Sequence, residues 1–197
     1  MSRLLRPPLL VCVDFQREYT TEGRPLYIAD AASHLIPRAE RLLDFARAER
    51  WLIAHALMHR DDLLFGGRTE HVRPLPGFEP FGSEMIFQRA EFSVFNNAEF
   101  GRLIDRSRGS STLMMGLGGP FALLHTAMDA HARRHEVILI DDVLGSPQIG
   151  ACAADQVVAV VRSIAGAMHR LITSTEILER AGTTGVASLL ALTNGSA

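Results

Sequence analysis

Short, uninterrupted apolar runs alternate along this chain with longer segments of helical periodicity, and this alternation limits the folds available to it. Helical spacing is clearest over residues 29–50 and 151–167. The short runs carry no polar stripe, which is typical of strands buried on both faces. They cover residues 9–13, 51–57, 84–88, 111–115, 136–140 and 169–173. The alternation predicts an α/β fold, with a parallel sheet covered on both sides by helices and joined by right-handed crossovers.

The length of the chain indicates how many domains to expect. Its 197 residues are enough for one well-buried domain and few for two. We therefore expect a single domain over residues 1–197, with its core in residues 9–178. The apolar tail, residues 182–197, has no polar stripe, so we expect it to pack on the body or on another subunit.

Charge and cysteine content exclude several classes of protein. The formal net charge is −2 and no block of basic residues occurs, so we expect no nucleic-acid partner. No apolar run is long enough to cross a bilayer, so we expect no membrane partner. Two cysteines are too few for a disulfide framework, which favours a cytoplasmic location. All 20 basic residues are arginine, so no lysine amine is available as a Schiff base.

The stretch GLGGPFALLHTAMDA, residues 116–130, has the pattern of a strand end, a tight turn and a helix start. In an open α/β sheet such a turn lies at the carboxyl end of a strand, where ligands bind and the first helical N–H groups are free. Anion stabilisation is therefore available. However, Ala122 occupies the first turn, where a nucleophile would best use those amides. A close strand–helix connection that needs small residues explains the stretch equally well.

Two charged residues follow other predicted strands. Asp14 follows the first apolar run, and Arg89 follows the third, residues 84–88. We expect the two to pair across one edge of the sheet, which would lower the pKa of Asp14. The alternatives are a helix or turn cap for Asp14 and a surface position for Arg89. If they pair, Asp14, Arg89 and the turn at 118–122 form the corners of one pocket.

Other polar residues give weaker signals. His55 and His59 lie four apart, but on a strand passing into a loop they do not share a face, so no metal site is expected there. Asp141 and Asp142 are predicted to end the fifth strand. There they could bind metal, act as acid and base, or form a solvated pair. Residues 62–82 are predicted to form a long surface connection, and Ser93 and Asn96 are predicted to start a helix.

Three motifs together resemble the isochorismatase-like, or cysteine hydrolase, family. They are VDFQREY at 13–19, EMIFQRAEFSVF at 84–95, and residues 116–130 followed by HEVILIDDVLGS at 135–146. The likeness runs from about residue 9 to 178, with the motifs in the family's order and spacing. It implies a hydrolase with a three-layer α/β/α fold around a Rossmann-like, six-stranded parallel sheet. It also implies a homo-oligomer, either a dimer or a tetramer.

The resemblance also implies a catalytic triad of aspartate, lysine and cysteine. By position these become Asp14, Arg89 and Ala122, so only the first is retained. In the family, a cysteine thiolate attacks the carbonyl of an amide and water later releases the acyl enzyme. Main-chain N–H groups hold the oxyanion, and here they would be those of Gly118 and Ala122, with a cis peptide expected between Leu117 and Gly118.

The substrate is expected to be a small, largely uncharged carbonyl compound, such as a planar amide. The candidate substrate-binding residues are Gln16, Tyr19, His59, Phe92, Phe95 and Phe121. The D-x-H metal stretch of the nicotinamidase branch does not occur after the second strand. We therefore expect neither a metal nor any other cofactor.

Ala122 leaves three hypotheses open. The first hypothesis is that Ala122 replaces a native cysteine by engineering, which would trap substrate in an inactive hydrolase of C–N bonds. The second hypothesis is chemistry without a nucleophile, as in the family's isochorismatase branch, with Asp14 as the general acid on a vinyl ether. The third is a non-catalytic protein that binds a ligand or serves in assembly.

Overall fold

A six-stranded parallel sheet forms the centre of the computed structural model, which describes residues 7–108 and 110–184. The strand order is β3-β2-β1-β4-β5-β6, with every neighbouring pair parallel. The strands are β1 (Leu9–Val13), β2 (Leu52–Met58), β3 (Met85–Arg89), β4 (Thr112–Gly116), β5 (Ile138–Leu144) and β6 (Arg170–Ile172). The order reverses between β1 and β4, and in sheets of this kind ligands bind in the crevice at the carboxyl ends of the strands beside such a reversal.

Helices cover both faces of the sheet, which confirms the three-layer α/β/α prediction. The helices are α1 (Ile36–Ala48), α2 (Ala98–Arg106), α3 (Leu124–Ala132), α4 (Ala154–Gly166) and α5 (Ser174–Thr184). Leu42 of α1 and Ile177 of α5 belong to the core on one face. Phe100 of α2, Ala127 of α3 and Val161 of α4 belong to the core on the other. Burial of these apolar faces is the main stabilising term of such a fold.

Short turns and caps position the helix starts. Wide π-helical turns precede two helices, Ala31–Leu35 before α1 and Gly119–Leu123 before α3. The helix start predicted at Ser93 and Asn96 needs a correction, because Ser93 caps only a 3₁₀ turn, Val94–Asn96. The cap of α2 is Asn97, whose Oδ1 accepts the N–H of Glu99 at 3.0 Å. An asparagine oxygen at that place satisfies an amide that the helix leaves without an intrahelical partner.

The fifth strand is longer than its apolar run, so the prediction that Asp141 and Asp142 end it is wrong. Both lie inside β5, and each has a partner. Arg162 Nε donates to Asp141 Oδ1 at 2.5 Å. Asp142 accepts both the N–H and the hydroxyl of Ser174 at 2.7 Å and so caps α5. The carboxylates are tolerated in the strand because these partners satisfy them.

The segment 62–82 is irregular, as predicted, except for a 3₁₀ turn at Glu70–Val72. It is more than a surface connection, because it buries Phe65, Leu75 and Phe78. Phe78 stacks on Phe15 with ring centroids 4.1 Å apart. The segment therefore packs over the chain that follows β1, beside the predicted site.

Residues 185–197, most of the apolar tail, lie outside the described part of the chain. Packing of the tail on the body or on a second subunit therefore stays a prediction, as does the homo-oligomer. Among residues 7–108 and 110–184, no helix combines the length and apolar character needed to cross a bilayer.

Candidate active site

A buried ion pair joins the ends of two strands at the crevice. Arg89 Nη2 donates to Asp14 Oδ1 at 2.6 Å, and neither side chain is exposed to solvent. Arg89 ends β3 and Asp14 follows β1, and β2 lies between these two strands. The long arginine side chain spans that distance. The pairing predicted from the sequence is therefore what the structure shows.

The backbone at Asp14 has an uncommon conformation. Its φ is +57°, in the left-handed region, where aspartate is better tolerated than most residues. The N–H of Asp14 donates to Ala56 O of β2 at 2.9 Å, and its carbonyl accepts the N–H of Gln16 at 2.8 Å. The chain thus leaves β1 in a sharp turn that these bonds hold. Backbone strain of this kind is frequent at functional sites.

The second carboxylate oxygen of Asp14 faces Gly118 and Ala122. A methyl group added at Gly118 would lie 2.8 Å from Asp14 Oδ2, 3.1 Å from Tyr19 Oη and 3.2 Å from Ala122 Cβ. All three groups therefore surround the same point. A side chain at position 118 would fill this space, so only glycine leaves it open. Asp14, Tyr19 and Ala122 thus meet beside Gly118, and Arg89 contacts this group through the other oxygen of Asp14.

Burial controls the titration of Asp14. It raises the pKa of this carboxyl, because an apolar surrounding disfavours the charged form, while Arg89 and the Tyr19 hydroxyl oppose that rise. The expectation of a lowered pKa from Arg89 alone is therefore wrong. Burial also raises the pKa of Tyr19, whose hydroxyl lies 3.4 Å from Asp14 Oδ2. Tyr19 thus stays a neutral hydrogen-bond donor to the carboxylate.

Arg89 is held by more than Asp14. Its Nη1 donates to the carbonyl of Glu91 at 2.8 Å and lies 3.4 Å from Met58 Sδ. Its Nε is buried and has no hydrogen-bond partner among the residues that the structure describes. These contacts fix the plane of the guanidinium. They also tie the segment after β3 to the ion pair.

The turn before α3 departs from two expectations. No cis peptide occurs in the described chain, so the bond between Leu117 and Gly118 is trans. The N–H of Ala122 donates to Gly118 O at 2.7 Å, and that of Gly119 donates to Gly145 O at 2.8 Å. Ala122 lies one turn into the helical segment, where N–H groups find partners in the chain. Its amide is therefore not free to hold an oxyanion in this conformation.

Gln16 stabilises the chain around the site and does not offer its amide to a ligand, contrary to its predicted role. Its Nε2 donates to Met58 O at 2.9 Å and to Val72 O at 2.6 Å. Its Oε1 accepts the N–H of Met58 at 2.9 Å. Both amide hydrogens are thus used, and the side chain is fully buried.

The predicted aromatic residues divide into two groups. Phe92 and Phe121 come together, with ring centroids 5.3 Å apart, beside the ion pair and the turn respectively. Phe95 needs a correction, because it lies in the core near the far end of α3. There its ring stacks on His135 and lies 4.8 Å below the guanidinium of Arg133. The 3₁₀ turn at Val94–Asn96 turns this ring into the core.

The structure places two histidines that sequence analysis treated differently. His59 is exposed at the end of β2, and its N–H donates to Arg89 O at 2.8 Å. Its predicted contact with substrate stays a prediction. His125 is not among the residues predicted from the sequence, and its ring lies 5.2 Å from that of Phe92. Its spacing of four from Phe121 on a helix was the signal that could have found it.

Neither a histidine cluster nor a nearby cleft competes with this site. His55 is buried on β2 and pairs with Glu84, which also binds Arg47. Among the residues described, no group of three or more acidic, histidine or cysteine side chains is placed to hold a metal ion. A cleft of about 610 Å³ lies near Asp142, Gly145 and the start of α4, and none of the predicted site residues lines it.

Comparison with known proteins agrees with this architecture. The family model described as the isochorismatase domain matches residues 8–176. An isochorismatase family protein from Desulfovibrio vulgaris subsp. vulgaris str. Hildenborough superposes with a TM-score of 0.74 at 26% identity, covering 90% of this chain and 99% of that one. A cysteine hydrolase from Pseudomonas syringae pv. phaseolicola 1448A gives a TM-score of 0.78 at 19% identity, covering 96% and 100%. No curated protein matches the sequence.

The likeness to the cysteine hydrolase, at 19% identity, shows the fold alone, whereas the family model matches residues 8–176. The chain therefore belongs to the isochorismatase family of hydrolases.

Proposed function

We propose that this chain carries the site of a small-amide hydrolase in which position 122 is that of the nucleophile. The observation that supports this most is the approach of Asp14 Oδ2 and Ala122 Cβ, which both lie within 3.2 Å of the same point beside Gly118. A thiol at position 122 would therefore lie next to a carboxylate that can accept its proton. The methyl group of Ala122 cannot attack a carbonyl.

The neighbouring residues suit this role. Arg89 binds Asp14 Oδ1 and leaves Oδ2 as the oxygen that faces position 122. In the proposed step, the thiol proton passes to Asp14 and sulfur attacks the amide carbon. The amine then leaves with a proton, and water cleaves the resulting thioester. Arginine in place of lysine keeps the positive charge but does not exchange a proton.

The test is the variant Ala122→Cys. It is screened on small amides, ureides and hydrazides for released amine, with the present chain and Ala122→Ser as matched controls. We expect turnover from the cysteine variant and none from the present chain. A cysteine variant that is folded and releases no amine from any of these compounds would contradict the proposal.

A second function is favoured by the buried state of Asp14. Because burial raises the pKa of this carboxyl, a protonated Asp14 is more accessible near neutral pH than an exposed aspartic acid. As a general acid, Asp14 would protonate the double-bond carbon of a vinyl ether, and water would add to the resulting cation. The adduct would then break down to pyruvate and an alcohol.

Release of pyruvate from isochorismate by the unaltered chain, abolished by Asp14→Asn, would support this second function. A chain that gives no pyruvate excludes it. If Ala122→Cys is also inactive on amides, the remaining proposal is a non-catalytic role in ligand binding or assembly. The near-complete burial of Asp14, Arg89 and Ala122 is compatible with that outcome.

A further inference from the structure

A cleft of about 610 Å³ opens at the carboxyl edge of the sheet, where β5 ends. Residues from the segment 28–38, which leads into α1, line one side, and residues of α4 line another. Since α1 and α4 cover opposite faces of the sheet, the cleft lies between them. A volume of this size is typical of a site for a small molecule.

This cleft is distinct from the site around Asp14. None of the side chains assigned to that site lines it. The main chain connects the two places, because Gly145 lines the cleft and its carbonyl accepts the N–H of Gly119 at 2.8 Å. A molecule bound in the cleft would therefore be recognised by a different set of side chains.

Two charged residues at the cleft have partners within the protein. Asp142 accepts the N–H and the hydroxyl of Ser174, both at 2.7 Å. Arg162 Nε donates to Asp141 Oδ1 at 2.5 Å. Because the fold itself satisfies these side chains, they shape the cleft without requiring a ligand.

Two other residues, of opposite charge, lack such partners. Arg38 lies on α1 and Asp155 lies in the first turn of α4, and both are exposed. Neither forms an ion pair with any residue in 7–108 and 110–184, and the printed contact of the Arg38 guanidinium is a long one, 3.5 Å from Nη1 to Asp142 O. The cleft thus presents one positive and one negative charge from two different helices.

Apolar side chains also line the cleft. Ile28, Leu35 and Leu144 are buried, and Val158 of α4 is half-buried. An aliphatic group placed against them would leave water, which is favourable. The lining therefore combines two unpaired charges with an apolar surface.

We infer that this cleft is a second binding site, and that it binds a zwitterionic α-amino acid with a branched aliphatic side chain. Arg38 binds the carboxylate, Asp155 binds the ammonium group, and the side chain packs on Leu35, Leu144 and Val158. A simple anion would be repelled by Asp155 and a simple cation by Arg38. A molecule that carries both charges meets an opposite charge at each end.

The test measures binding to the unaltered chain, so it does not rest on the proposed hydrolysis. The probes are L-leucine, 4-methylpentanoic acid, which lacks the ammonium group, 3-methylbutylamine, which lacks the carboxylate, and glycine, which lacks the apolar side chain. Chemical-shift titrations at neutral pH give both the dissociation constants and the place of binding. We expect leucine to shift the signals of Leu144, Gly145 and Val158.

The four probes should differ in affinity in a defined way. Leucine should bind about threefold to fivefold more tightly than the acid or the amine, as one exposed ion pair allows. It should bind about tenfold more tightly than glycine, because glycine buries no aliphatic group.

Two variants assign the charges to their residues. Arg38→Gln should weaken leucine and 4-methylpentanoic acid about threefold without weakening 3-methylbutylamine. Asp155→Asn should weaken leucine and the amine without weakening the acid. Arg41→Gln is the matched control, because Arg41 is exposed on the same helix as Arg38 and does not line the cleft. It should change none of the affinities.

The inference is overturned if leucine does not bind, if it binds no more tightly than the acid and the amine, or if its shifts are confined to the surroundings of Asp14. Equal effects of Arg38→Gln and Arg41→Gln would also overturn it. These results are distinguishable from failure of the proposed hydrolysis, which is measured by amine release from Ala122→Cys. Leucine binding without that turnover contradicts only the hydrolase, and turnover without leucine binding contradicts only the second site.

Discussion

Removal of the Arg89 guanidinium should destabilise the protein far more than removal of a surface arginine. Arg89→Met keeps most of the side-chain length but leaves Asp14 without its 2.6 Å partner in a place without solvent. Breaking a buried pair by removing one member costs about 3–5 kcal/mol, because the remaining charge is buried and uncompensated. Removal of the buried Nε, which has no hydrogen-bond partner among the described residues, relieves its desolvation cost and offsets part of this destabilisation.

A matched control is Arg102→Met on α2. Arg102 pairs with Glu99, and the two side chains are 60% and 63% exposed. An exposed pair of this kind contributes about 0–1 kcal/mol. Free energies of unfolding, measured in urea at pH 8, should therefore differ by about 2–5 kcal/mol between the two variants.

The dependence on pH gives the prediction a second test. Burial raises the folded-state pKa of Asp14 above its unfolded value, and loss of Arg89 raises it further. The folded variant therefore holds the proton to a higher pH than the folded parent. Both proteins lose stability as pH rises above the unfolded pKa, and the extra loss of the variant accumulates between the folded pKa of the parent and its own higher folded pKa. The deficit of Arg89→Met should thus shrink as pH falls from 8 toward 5.

Two results would refute this reasoning. Arg89→Met could destabilise the protein no more than Arg102→Met does, which would mean that the buried pair does not exist in solution. Alternatively, the deficit could stay constant with pH, which would mean that the cost does not arise from the charge of Asp14.

Three further predictions test other parts of the structure. Gln16→Ala should lower the free energy of unfolding by about 2–4 kcal/mol, because two buried main-chain groups of Met58 and the part-buried carbonyl of Val72 lose a partner. Gln148→Ala, at an exposed side chain, should change the free energy of unfolding little. Gly118→Ala should lower the free energy of unfolding by about 1–3 kcal/mol, because its methyl would lie 2.8 Å from Asp14 Oδ2. Gly101→Ala, inside α2, should leave the free energy of unfolding in urea unchanged or raise it. Burial lowers the pKa of His55 below 6.5, so the unfolded chain binds more protons at acid pH and stability falls below that pH. In His55→Leu, the free energy of unfolding should therefore change less between about pH 7 and 5 than in the parent. An unchanged slope would contradict this, as would an equal effect of His34→Leu at an exposed site.

The strands were predictable from the sequence because a strand buried on both faces needs an unbroken apolar run. The run at residues 9–13 became β1 without any shift. The run at 136–140 predicted only part of β5, because Asp141 and Asp142 continue the strand with partners from α4 and α5. Those partners come from later in the chain, so no local sequence pattern indicates them.

The candidate site was predictable where topology alone determined it. The carboxyl ends of parallel strands share one edge, so Asp14 and Arg89 were expected on the same side of the sheet, and the strand order places them only two strands apart. Gln16 was misassigned because its partners, Met58 and Val72, are 42 and 56 residues away. Phe95 was misassigned because a single 3₁₀ turn decides whether its ring faces the site or the core.

The central claim is that position 122 and Asp14 act on the same atoms. The most direct measurement is the intact mass of Ala122→Cys after brief exposure to a small amide that it turns over, compared with Ala122→Cys/Asp14→Asn. The account predicts that Ala122→Cys gains an acyl group and releases amine. It predicts that the double variant does neither. Equal acylation of both proteins would show that the carboxylate takes no part in activating the thiol, and would contradict the account.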